Sequence, residues 1–96
     1  MTFRSWRVIE DSLGARYLFG FHPRSDRCRM TTAVVTFDVV QRIVLTSTGR
    51  VYWIHTEPGE PFEEEVLETL AELHGMPGQP ADVTGLVWQA MRAAVQ

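Results

Sequence analysis

Apolar and polar side chains alternate in short runs along residues 3–55, and from about residue 60 the apolar positions recur every three or four. The first spacing marks strands and the second marks helices. FRSWRVIE (3–10) sets Trp6 and Val8 on one face and predicts a first strand. In ARYLFGFH (15–22), Ala15, Tyr17, Phe19 and Phe21 oppose Arg16, Leu18, Gly20 and His22. With the turn residues DSLG (11–14) between them, these two segments predict a hairpin. MTTAVVTFD (30–38) is rich in β-branched residues and predicts a third strand. VVQR (39–42) connects it onward, although two valines are unusual in a turn. IVLTS (43–47) and RVYWIH (50–55) flank Thr48–Gly49, where glycine can take a positive φ, and predict a second hairpin.

The helical period begins with Phe62, Val66, Leu70 and Leu73, flanked by Leu67 and Ala71, which form one apolar stripe over about 61–74. Pro61 suits the first turn, and Glu63, Glu64 and Glu65 suit the positive end of the helix dipole. Gly75 and Pro77 end the pattern. After MPGQPA, a second helix is predicted over about 83–95, with Val83, Leu86, Val87, Ala90, Met91 and Ala94 in register and Asp82 or Thr84 as N-cap. Strands first and helices last give an α+β class. The expected architecture is an antiparallel meander of about five strands (residues 3–55), followed by two C-terminal helices packing on one face or one end of the sheet. Eight of the ten aromatic residues fall within residues 3–53, so the sheet should carry most of the bulk.

Composition narrows the classes. Ninety-six residues fit one domain, 1–96, with room for one modest core. All nine basic residues are arginine, and the net charge of −3 hides a split. Residues 1–56 carry a net +4 and residues 57–96 a net −7. One cysteine forbids an internal disulfide, and with three scattered histidines it gives no reason to expect a metal. No cofactor is expected. No apolar run has the length of a membrane span and no secretory leader is evident, so a cytoplasmic protein with no membrane partner is expected.

Thr31–Thr32, Val34–Val35 and Asp38, followed by Thr46, Thr48, Gly49, Arg50 and Tyr52, with His22–Pro23 upstream, form a pattern. It resembles that of small bacterial and prophage-type proteins with a TT-x-VV-x-x-D strand and a T-x-(S/T)-G-R-x-Y hairpin. The resemblance covers about a third of the chain, and Thr48 stands where a serine would be expected. It implies a β-meander and a bacterial or mobile-element origin, and it implies no activity.

Chemistry-bearing residues concentrate in FHPRSDRCRM (21–30), read as a strand end followed by an exposed Arg-rich loop. Arg24, Arg27 and Arg29 could hold a phosphate backbone, with Phe21, Tyr17 or Trp53 stacking on bases, which makes nucleic acid the alternative partner. His22 and His55 around such a phosphate would describe a small nuclease, but nothing in the spacing makes them converge. Nearby arginines would favour a Cys28 thiolate, yet no helix start follows to supply an oxyanion hole. No catalytic residue is therefore assigned. The acidic helix is the other candidate. Glu63, Glu64, Glu65, Glu68 and Glu72 crowd like charges at helical spacing, which costs a few tenths of a kcal/mol per pair and suits docking on an arginine-rich surface. The leading expectation is a non-catalytic protein–protein interaction module acting through these glutamates. Its sharper form is a phage-type inhibitor of a host defence complex, with carboxylates placed where nucleic acid would sit. Trp88 and Met91 read as core, and a half-buried last helix would offer a homodimer surface.

Overall fold

The computed structural model describes residue 3 and residues 5–21 and 28–94. Six strands form one antiparallel sheet: β1 (Ser5–Glu10), β2 (Arg16–Phe21), β3 (Cys28–Asp38), β4 (Ile43–Thr46), β5 (Val51–Trp53) and β6 (Ala81–Asp82). Helix α1 (Glu64–Leu73) lies between β5 and β6, and α2 (Thr84–Ala94) follows β6. The spatial order is β5-β4-β3-β2-β1-β6. The five-strand meander and two C-terminal helices are present, with β6 added at the β1 edge.

Turn chemistry sets the hairpins. Asp11 accepts the amides of Leu13 and Ala15, and Gly14 takes φ 87°. Gly49, at φ 83°, closes β4–β5. Asp38 accepts the amides of Val40 and Gln41, so the 39–42 connection is built on a carboxylate. Its two valines divide: Val39 packs on the core and Val40 is exposed.

The helices lie on opposite faces, which corrects the expectation of one face or one end. Alternation along β1 and β2 shows it. Trp6, Val8 and Leu18 pack with Val83, Val87 and Met91 of α2, whereas Ile9 and Phe19 pack with Ala71 of α1 and with Met76. Strands buried on both faces read as apolar at every position, so their sequence does not say which side a helix takes.

β3 contains two bulges. Tyr17 pairs with Ala33 and Phe19 with Met30, which leaves one extra residue on β3. Val34 pairs with Thr46 and Thr36 with Leu45, which leaves another. Bulges increase twist and bend a strand. The sheet curls accordingly: Phe3 stacks on Tyr52 of β5 at 5.2 Å and also covers Gly20 of β2, where a Cβ would collide with its ring. The first bulge is satisfied by Thr31, whose hydroxyl accepts the Leu18 amide at 3.1 Å.

The outer edge of β1 is closed piecewise. The Gly59 amide donates to Trp6 O, the Val83 amide donates to Val8 O, and the Val8 amide donates to the buried Thr84 hydroxyl at 2.8 Å. β6 pairs with Ile9 and Glu10. Thr84 is therefore turned inward and is not a cap. Asp82 takes the cap-like role, accepting the Thr84 amide at 2.9 Å while binding Arg7 at 2.7 Å.

Candidate functional site

Helix α1 ends in a Schellman motif. Gly75 takes φ 67°, its amide donates to Glu72 O, and the Met76 amide donates to Ala71 O. Met76 and Ala71 are both buried, and this fixes the helix's rotation on the sheet. Leu67, Leu70 and Ala71 face inward with Phe62. The expected stripe is corrected here: Val66 and Leu73 face outward, 44% and 75% exposed. Phe62 lies before the helix, which begins at Glu64, so the stripe along α1 itself is shorter than the sequence pattern. The outward face also carries Glu63, Glu64, Glu65, Glu68 and Glu72, all exposed. Among the described residues, none of the five is in an ion pair. Glu65, Val66, Thr69 and Leu70 line an open depression of about 290 Å³ on this face.

Arg24 and Arg27, with His22, lie outside the described residues. Arg29 does not belong to a loop: it sits on β3 opposite Gly20, exposed, because the strand begins at Cys28 and not at residue 30. Arg7 and Arg16 are held by Asp82 and Glu10. The Arg42 guanidinium lies 5.4 Å from the centre of the Trp88 ring on α2. Arg92 is on α2, in an open groove of about 570 Å³ lined by Gly85, Trp88, Gln89, Arg92 and Ala93. The sheet thus sorts charge, with the carboxylates of α1 on one face and Arg42 and Arg92 on the other. Met91 is fully buried and Trp88 partly so, packed edge-on to Trp6 at 6.1 Å.

His55 is exposed beyond β5 and has no hydrogen-bond partner among the described residues. Cys28 is half-buried beside the α1-side core. Burial pushes its thiol up, against a smaller opposing effect of the Gly20 backbone hydrogen bond. That environment is opposite to the one a nucleophile needs. No group of three or more His, Cys, Asp or Glu among the described residues could hold a metal.

A third depression, about 260 Å³, lies between β3 and the β4–β5 hairpin and is lined by Met30, Thr31, Thr32, Thr48, Arg50 and Tyr52. Five of these six belong to the Thr-Thr and Thr-Gly-Arg-x-Tyr stretches of the sequence pattern. Their separate positions on the chain gave no sign that they would line one groove.

Comparison with protein-family models, with curated proteins and with solved structures returns no match, so any reading of function rests on the geometry of this chain.

Proposed function

We propose that the protein is a non-catalytic protein–protein interaction module whose α1 face docks on a basic surface of another protein. The observation that carries this reading is the outward pairing of Val66 and Leu73 with five exposed glutamates. Apolar side chains ringed by charge have the anatomy of an interface, an apolar centre inside a polar rim. Like charges at 64, 68 and 72 disfavour the isolated helix, and no described arginine neutralises them. A basic partner would relieve that repulsion while covering Val66 and Leu73.

The test is the affinity of the captured partner for the wild-type chain and for two variants. Glu64→Lys with Glu68→Lys is expected to weaken binding by about tenfold or more and to flatten its salt dependence. Val66→Ser should weaken binding without altering the salt slope. Unchanged affinity in both variants, with the fold intact by circular dichroism, overturns the reading.

A further inference from the structure

We propose that the groove lined by Thr31, Thr32, Thr48, Arg50 and Tyr52 is a binding site for a single phosphate-type oxyanion carried on a small molecule. It is separate from the α1 face and does not depend on it. The donor set is the first argument. The lining holds one guanidinium, three threonine hydroxyls and one phenol, and no carboxylate. Arg50 makes no ion pair among the described residues, so its planar fork of donors is uncommitted.

Tyr52 is the second argument. Its residue is only 5% exposed and its ring stacks on Phe3. The phenol makes no hydrogen bond among the described residues, yet no described buried side-chain polar atom lacks a partner. The hydroxyl is therefore not sealed in the core without a partner, and Tyr52 is one of the residues that line the groove. A ring held by stacking and tipped by an unengaged O–H is a preset donor.

The threonines supply adaptable donors. Thr32 and Thr48 hydroxyls lie 3.1 Å apart, bridging β3 to the hairpin, and Thr46 is 3.4 Å from Thr48. Hydroxyl hydrogens rotate to suit a ligand, so Thr32 and Thr48, which both line the groove, can turn toward an anion. Thr31 is already committed, accepting from Leu18 and donating to Thr32 O. Its part is to hold the bulge that places Thr32 beside the hairpin.

The depression, about 260 Å³, has room for a phosphate group and part of the molecule that carries it, and it lies at the small end of ordinary ligand pockets, which start near about 300 Å³.

The experiment is a titration of the intact chain with inorganic phosphate, followed by amide chemical shifts, with sodium chloride at equal ionic strength as control. Saturable shifts confined to residues 30–32 and 46–52, absent with chloride, are expected. Arg50→Gln is expected to weaken binding by about tenfold or more, because a hydrogen bond to a charged group is lost. Tyr52→Phe keeps the stacked ring and removes only the hydroxyl, so it should weaken binding several-fold while leaving the melting temperature in place. Shifts that never saturate, that match those with chloride, or that persist unchanged in Arg50→Gln overturn the proposal. A second arm uses a short single-stranded oligonucleotide. Saturation by the oligonucleotide with none by phosphate would assign the groove to nucleic acid and equally overturn it. Neither arm involves the α1 glutamates, so loss of partner binding there leaves this result unaffected.

Discussion

Thr84 shows how one side chain can join a helix to a sheet. It is fully buried, and its hydroxyl accepts the Val8 amide at a point where the outer edge of β1 has no strand beside it. Thr84→Val keeps the volume and orphans that amide, at a cost of about 1–3 kcal/mol. Thr84→Ser keeps the hydroxyl and loses one methyl, at about 1 kcal/mol. Urea midpoints should therefore fall further for valine than for serine, and equal losses would remove the hydrogen bond from the account. Two other residues set a pH limit. Burial raises the thiol of Cys28, and burial raises the phenol of Tyr17, aided by the charge of Asp11 and its hydrogen bond. A raised value means the folded state holds its proton more tightly. The stability from both groups is complete below their unfolded-chain values and is lost as pH climbs through the folded ones. Stability should decline on the alkaline side, and Tyr17→Phe with Cys28→Ser should flatten that decline in denaturation curves run from pH 8 to about 11.

At the level of elements, α1 depends on its C-terminal stop. Gly75 at φ 67° allows the Met76 amide to reach Ala71 and brings Met76 into the core. Gly75→Ala forces a Cβ into the left-handed region and should destabilise by about 1–2 kcal/mol, read from the thermal midpoint. The glycine was legible in the sequence as the end of a helix, as were the hairpin turns at 11–14 and 48–49, because turn chemistry is local. β6 was not. Two residues, Ala81 and Asp82, carry no periodicity and are strand only because Ile9 and Glu10 offer them partners. The outward turn of Val66 and Leu73 was equally hidden, since a helix's rotation is chosen by what lies beneath it. The glutamate face could be read directly from spacing. The threonine groove could not, because it exists only after the bulges in β3 bend the sheet.

On the scale of the molecule, charge is sorted in space, although not by the division along the chain, since Arg92 comes from the acidic half. The carboxylates of α1 cover one side of the sheet, while Arg42 and Arg92 lie with α2 on the other. The α1 side is covered only in part. Leu45 and Trp53 on β4 and β5 remain 36% and 41% exposed, beyond the reach of α1.

The closure of the β1 edge by Thr84, Val83 and Asp82 also orders events in time. Arg7 meets Asp82 across 75 positions of sequence. The meander from β1 to β5 can zip up from neighbours, but Trp6 and Val8 stay uncovered until the last helix arrives. During synthesis, β1 must wait for the 75 or so residues that separate it from β6 and α2 to be made. Contacts of such long separation slow folding. The nascent chain therefore passes through an interval in which its aromatic surface is open to chaperones and to other chains.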